Sequence, residues 1–327
     1  MPLRACPAAM EESPAKRVRI TAPAQGDDED WFGAVPNDVI LHIMSFLTTR
    51  QAVRTCVLSR RWLNLWRSVP CIQADISEFQ RRDSEWEEYD RERESAFKML
   101  IERVLELRDP AASIRTFRFR CCRLDGFEDT SDSEDINRWI SHAVQKQAWV
   151  LDIVVLYDAL KLDHSAFTSS YLTRIEFTNI LMMQGFFKQL ETGCPALENL
   201  FLDECNVVDV EISSQTLKLR IENNLQWYPR FNNLVSLTLG QWCLDANFYG
   251  LIVFLKNSPK LEKLTLELEK ETPQRIIGEL EERSFTCEHL TSVEVVCSED
   301  DPLVNDVVEF FVNSGLTSAQ VHIIHWS

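Results

Sequence analysis

One apolar pattern recurs along most of this chain and leaves few ways to fold it. The spacing L-x-x-L-x-L, with large aliphatic or aromatic residues in the Leu places, appears seven times. The copies are Ile114-Phe117-Phe119, Val150-Ile153-Val155, Leu172-Ile175-Phe177, Leu197-Leu200-Leu202, Leu234-Leu237-Leu239, Leu261-Leu264-Leu266 and Leu290-Val293-Val295, with a weaker one at Leu217-Leu219-Ile221. Copies starting at 172, 197, 234, 261 and 290 stand 25, 37, 27 and 29 residues apart, and the weak copy falls inside the long gap. Self-similarity at such a period marks a repeat architecture. The alternation that closes each copy is that of a strand with one buried face. A single strand of this kind cannot bury its own apolar row, so the copies must stack.

The spacers fit that reading. Asn137–Ala148, Gly185–Thr192 and Asn247–Asn257 have helical character, so each strand is followed by a helix or an irregular arc, and the class is α/β. Asp125–Asp135 is an acidic insertion expected to be mobile, and between Val207 and Asn224 the repeats look compressed. In a strand of this pattern the Leu side chains point inward and their neighbours outward. The outward residues are Thr116, Arg118 and Arg120; Arg174, Glu176 and Thr178; Asn199, Phe201 and Asp203; Lys218, Arg220 and Glu222; Lys263, Thr265 and Glu267.

Upstream, Trp31–Pro70 reads as three short helices. Pro36 and Asp38 suit a helix start, and Thr48 and Thr49 break the first helix and cap the next. Ser59 can cap a third helix carrying Trp62, Leu65 and Trp66. The first helix has two apolar stripes side by side, Val39-Ile43-Phe46 and Ile40-Met44-Leu47. A helix apolar nearly all round is buried on more than one side. A unit of about 40 residues is near the lower limit for folding alone. One stripe therefore packs inside the unit, and the other needs a further surface, either the rest of the chain or a partner protein.

The residues at these positions resemble the F-box, in particular the plant type followed by leucine-rich repeats. The matching residues are Val35-Pro36, Asp38, Val39-Ile40, Ile43-Met44-Ser45-Phe46-Leu47, Ala52-Val53, Cys56, Leu58-Ser59 and Arg61-Trp62. Val35 and Met44 replace the usual Leu, and Thr48-Thr49 stands where many members have Pro. These swaps keep apolar character and approximate volume at Val35 and Met44. The repeats resemble leucine-rich repeats, with Cys122 and Cys205 at the Asn/Cys position of that consensus. Phe285 to Ile324 resembles the FBD-like domain that often closes such plant proteins, two strands around a helix at Pro302–Asn313.

The resemblance implies a small three-helix F-box followed by a curved leucine-rich-repeat solenoid with a C-terminal capping αβ unit. Its divisions are a disordered tail (1–28), the F-box (29–72), a charged linker and connecting helix (73–110), the solenoid (111–284) and the cap (285–327). The connecting helix carries Phe97, Leu100, Ile101, Val104 and Leu105 and ends near Pro110. The implied role is the substrate-recognition subunit of an SCF-type ubiquitin ligase, non-catalytic and without cofactor. A Skp-type adaptor, and through it a cullin, would bind at Val35, Pro36, Ile40, Ile43, Met44, Leu47, Val57, Leu58, Trp62 and Trp66, some of which must instead form the unit's own core. An unknown protein target would meet Arg118, Arg120, Arg174, Phe201 and Arg220. A second class stays open, a non-ligase repeat scaffold or interaction protein, favoured by a soluble monomer with Trp62 and Trp66 buried.

Composition excludes other classes. The formal net charge of −17 opposes nonspecific binding to nucleic acid or an anionic membrane. A nucleic-acid groove would be uniformly basic, whereas the outward strand residues mix both signs, so a protein segment with acidic residues near the F-box end fits better. No apolar run reaches the ~18–20 residues that cross a bilayer, and the first twenty residues lack the core of a secretory signal. A soluble, intracellular protein of nucleus and/or cytoplasm is expected, with its ten cysteines reduced. Pro14–Arg19 resembles a short basic nuclear-import signal, although an ordinary solvated tail accounts for it as well. No G-x-G-x-x-G, G-K-[ST] or G-x-S-x-G occurs, and Cys287-x-His289 and His322-x-x-His325 supply too few converging ligands for a metal.

Overall fold

The computed structural model describes residues 35–57, 61–79, 86–122, 131–156, 159–208, 211–212, 214, 216–222, 230–268 and 289–325. The tail at 1–28, Leu58, Ser59, and Cys287 lie outside these residues, as do most of the acidic insertion and the start of the expected cap. Asn37 to Ser327 form one compact unit, and Val35 and Pro36 belong to the preceding one.

The first part of the large unit is helical: α1 (Asn37–Met44), α2 (Thr49–Arg54) and α3 (Trp62–Leu65), with 3₁₀ turns at Thr55–Val57 and Trp66–Ser68. Thr48 caps α2 as its sequence predicts. Its hydroxyl accepts from the Gln51 N–H at 3.3 Å while the Gln51 side chain accepts from the Thr48 N–H at 3.2 Å, a reciprocal pair that satisfies two otherwise orphaned donors. The residue preceding α3 is Arg61, which makes no side-chain cap. Its guanidinium instead donates to Asn37 Oδ1 at 2.8 Å, tying α3 to the start of α1.

Next come β1 (Cys71–Asp75), α4 (Trp86–Leu107), β2 (Thr116–Cys122), α5 (Ser131–Gln145), β3 (Val150–Leu156), β4 (Leu160–Leu162), β5 (Arg174–Thr178) and β6 (Ile180–Met182). They are followed by α6 (Phe186–Gly193), β7 (Asn199–Asp203), β8 (Asn206–Val207), β9 (Glu211–Ile212), β10 (Lys218–Glu222), β11 (Arg230–Phe231) and β12 (Ser236–Gly240). The chain finishes with α7 (Asp245–Lys256), β13 (Lys263–Glu267), β14 (Ser292–Cys297), α8 (Leu303–Asn313) and β15 (Val321–His325).

Ten strands make one sheet in the order β1-β2-β3-β5-β7-β10-β12-β13-β14-β15, each parallel to its neighbours. The chain advances one place at a time in one direction, which is the simplest path for repeated strand-and-return units. Short strands β4, β6 and β8 form a second parallel sheet, and β9 pairs with β11. The turns into β6 and β8 pass through Asn179 and Glu204 with positive φ of 58° and 50°, a conformation that Asn tolerates better than most residues.

The registers explain the repeat. Phe117, Leu151, Ile175, Leu200, Leu219, Leu237, Leu264 and Val293 sit at one level of adjacent strands, and Phe119, Ile153, Phe177, Leu202, Ile221, Leu239, Leu266 and Val295 at the next. All are buried. Burying each such side chain contributes about 1.5–3 kcal/mol, so these two rows are the main stabilising force. Aromatic contacts fill the space behind them: Phe119 lies 5.2 Å from Phe97 on α4 and 5.4 Å from Trp139 on α5, and Phe254 on α7 lies 5.8 Å from both Phe231 and Trp242.

Four sequence readings need correction. The segment read as a linker from residue 73 contains most of β1, the first strand of the sheet, whose Ile72 and Ala74 extend the two buried rows. Helix α4 runs Trp86–Leu107, so residues 86–96 of the segment read as a charged linker already belong to the connecting helix. Ser131–Asp135 of the acidic insertion is the first turn and a half of α5. The weak repeat copy, set in the compressed region, is a full member strand, β10, in register with β7 and β12.

Candidate functional site

The two candidate surfaces are the outer face of the N-terminal helices and the outward face of the large sheet. On α1, neighbouring stripes have opposite fates. Ile40 and Met44 are both 0% exposed, whereas Ile43 is 48% exposed. Helix α1 lies against α3 and the 3₁₀ turn that follows it. Trp62 and Trp66, with Ala52, are buried in this unit, and none of them joins the main core that runs from Ile72 to Leu316.

This divides the residues expected at the adaptor. Ile40, Met44, Trp62 and Trp66 are buried core residues. Ile43 and Val57 are exposed, Leu47 is half-buried, and Leu58 lies outside the described residues. Val35 is half-buried and Pro36 exposed, each in the other unit. Two exposed residues were absent from the expected set, Val39 and Phe46; Phe46 is 73% exposed, and Val57, within the set, is 84% exposed. The signal that finds them is the stripe Val39-Ile43-Phe46. The Phe46 ring rests edge-on against His42, centroids 4.9 Å apart, and the Ser45 hydroxyl donates to His42 O at 2.6 Å where the helix ends.

This unit is fastened to the sheet through polar contacts. The Gln73 N–H on β1 donates to Thr49 Oγ1 at 2.8 Å, and the Thr48 hydroxyl donates to Glu78 Oε2 at 3.0 Å. The Arg50 guanidinium donates to Glu78 O and lies 4.4 Å over the Phe79 ring. Arg108, buried at the end of α4, donates to Val69 O at 2.7 Å and to Ser113 O at 3.2 Å. Burial pushes its guanidinium down to about 10, because a charge out of water is costly; Cys71 and Asp109 oppose that shift.

On the sheet, the five residues expected to read a target all point outward, but each arginine is engaged within the chain. Arg118 pairs with Asp152 on β3 at 2.5 Å, and Arg120 with Asp75 on β1 at 3.8 Å. Arg174 pairs with Glu176 on its own strand. Arg220 reaches Glu222 at 3.3 Å and Glu267 on β13 at 2.6 Å, with its guanidinium carbon 4.8 Å from the Phe201 ring centroid. Glu222, read from the alternation as facing out, is buried, because its carboxylate folds over Gly240 on β12. Lys218 and Lys263, outside the expected set, stand at the same register level as Arg174.

His322 and His325 diverge, as their spacing requires. His322 pairs in register with outward Glu294 and His325 with buried Cys297, whose Sγ is 3.9 Å from His325 Nδ1. Among the described residues no group of three or more His, Cys, Asp or Glu could hold a metal ion, and no helix is long and apolar enough to cross a membrane. Cys56, Cys71, Cys121, Cys194, Cys205, Cys243 and Cys297 are free thiols.

Residues 34–73 match the family model of the F-box domain. An F-box/LRR-repeat protein of Arabidopsis thaliana is 31% identical over 218 residues, 58% of this chain and 63% of the relative. An FBD-associated F-box protein of the same plant is 29% identical over 255 residues, 70% of this chain and 54% of the relative. A putative F-box/FBD/LRR-repeat protein, also from that plant, is 25% identical over 288 residues, 79% of this chain and 57% of the relative. The chain thus spans between about half and two thirds of the length of these curated relatives. The resemblance read from Val35 to Trp62 is shown by this domain match, and the wider one by these plant F-box, leucine-rich-repeat and FBD-associated proteins.

Proposed function

We propose that this chain, which carries an F-box domain at residues 34–73, is the substrate-recognition subunit of an SCF-type ubiquitin ligase. The observation that carries the reading is the exposed apolar set Val39, Ile43, Phe46 and Val57 on that domain. Large apolar side chains left in water mark a protein interface, and Val39, Ile43 and Phe46 stand on one helical stripe. A Skp-type adaptor would cover it and connect the chain to a cullin. The ten-stranded sheet is then a curved leucine-rich-repeat solenoid, closed by an FBD-like unit of β14, α8 and β15, whose outward face holds the target. Nucleus and/or cytoplasm is the compartment this role implies.

The chain would perform no bond chemistry. Its contribution is proximity: a target lysine held beside a charged conjugating enzyme experiences a high effective concentration. Fastening the helical unit to β1 through Thr49, to the turn after β1 through Glu78, and at Val69 to the end of α4 through Arg108 serves this directly, since a loose joint would dilute that concentration.

The scaffold reading draws on the burial of Trp62 and Trp66. It leaves the exposure of Phe46 and Val57 without a use, so the receptor reading is preferred. Co-expression with a Skp-type adaptor tests it. Ile43→Asp/Phe46→Asp/Val57→Asp should abolish recovery of the adaptor while leaving the melting temperature unchanged, and Ile40→Asp should lower the melting temperature sharply. Full adaptor recovery by the triple variant would reject the receptor reading.

A further inference from the structure

The outward face of the large sheet carries both signs of charge, and its cations stand further out than the carboxylates they pair with. In each described cross-strand or same-strand ion pair on this face, the cation is the more exposed member. Arg118 is 48% exposed against 14% for Asp152, and Arg220 is 40% exposed against 9% for Glu222. Arg120 over Asp75, Arg174 over Glu176, and Lys263 over Glu294 follow the same order. The carboxylates lie down in the sheet and the basic groups stand over them.

The effect is strongest over β5 to β13. A depression of about 330 Å³ there is lined by Arg174, Lys218, Arg220 and Lys263, with Phe201 in its floor and no carboxylate among the described lining residues. Arg174, Lys218 and Lys263 share one register level, each two strands from the next, with Asn199 and Ser236 between them. Neighbouring strands are about 4.8 Å apart, so these cations recur every ~9.6 Å across the strands. A polyproline-type chain rises about 3.1 Å per residue with three residues per turn, which returns the same face every ~9.3 Å.

We propose that this face docks an extended acidic segment of a partner protein. The segment crosses the strands with Asp or Glu at every third position, over Arg174, Lys218 and Lys263. Asn199 and Ser236 are placed to hydrogen-bond the backbone between, and Phe201, with Arg220 over it, receives an apolar side chain. A nucleic acid fits less well, because its continuous phosphates would also meet Glu176, Glu267 and Glu294 beside the cations. The inference rests on the reading of this face as the target site and gives that site its chemistry.

The test is fluorescence anisotropy on the full chain co-expressed with the adaptor, using a labelled twelve-residue peptide of Glu-Pro-Ala repeats. It should bind, weaken as salt rises, and exceed a Gln-Pro-Ala peptide clearly. Lys218→Glu/Lys263→Glu should weaken it by roughly tenfold or more. A Lys-Pro-Ala peptide should bind the reversed variant better than it binds the wild type, an outcome that damage to the fold cannot produce. Equal binding of the Gln peptide, no effect of charge reversal, binding only by a phosphoserine version, or a single-stranded oligonucleotide binding tenfold more tightly would each overturn the proposal. Adaptor recovery from the same samples separates the two readings: adaptor retained without peptide binding removes only this inference, and peptide binding without adaptor removes only the receptor role.

Discussion

The backbone N–H of Gln73 donates to the side-chain oxygen of Thr49 at 2.8 Å, so the first strand of the sheet is bonded directly to the second helix of the F-box. Thr49 is buried, and α2 lies against β1. Thr49→Val keeps the shape and removes the acceptor, which leaves the Gln73 amide unsatisfied. The expected cost is about 1–3 kcal/mol in urea unfolding, with faster hydrogen exchange at the Gln73 amide. Thr49→Ser should restore most of both. Equal stability of the Val variant and wild type would show that this bond does not hold the two parts together.

Gly240 makes room for Glu222. A β-carbon at Gly240 would fall within the Glu222 carboxylate, which is buried and bonded to Arg220. Gly240→Ala should therefore destabilise the protein by about 1–3 kcal/mol by expelling that carboxylate from its place. The same change in a Glu222→Ala background should cost much less, since the conflict is between those two residues. Additive costs in the double-mutant cycle would point to another neighbour.

Cys205 gives a pH dependence with a definite sign. Burial pushes its thiol from the ordinary 9.0 up to about 12, and its Sγ donates to Phe177 O at 3.3 Å. Below about 9 the folded and unfolded chains both hold the proton, and the stabilising contribution is complete. Above it the unfolded chain releases the proton first, so stability falls by ~1.4 kcal/mol per pH unit until the folded thiol titrates. The urea midpoint of wild type should drop faster between pH 9 and 11 than that of Cys205→Ala. Parallel curves would mean that the thiol is not held protonated.

Much of the fold was legible because it is local and periodic. The repeat at Leu172, Leu197, Leu234, Leu261 and Leu290 gives the strands, and their register turns each Leu pair into two continuous buried rows. Thr48 is readable as a cap because capping involves only residues three apart. The start of the sheet at β1 was not legible. Val69-Ile72-Ala74 keeps the spacing but puts a small Ala in the last place, and pairing with β2 makes Cys71–Asp75 a strand of this sheet.

The candidate sites divide in the same way. Helical spacing alone determined that Val39, Ile43 and Phe46 share one stripe and Ile40 and Met44 another, because residues three or four apart lie on one face. Only the tertiary structure decided which stripe is buried, since the choice belongs to the packing of α1 against α3 and its following turn. Strand alternation likewise determined which residues of the sheet point outward. That arginines and lysines stand proud while their carboxylates lie down was decided by partners such as Arg118 and Asp152, 34 positions apart in the chain. Periodicity records which side chains share a face; how deep each one sits depends on neighbours that folding brings from elsewhere.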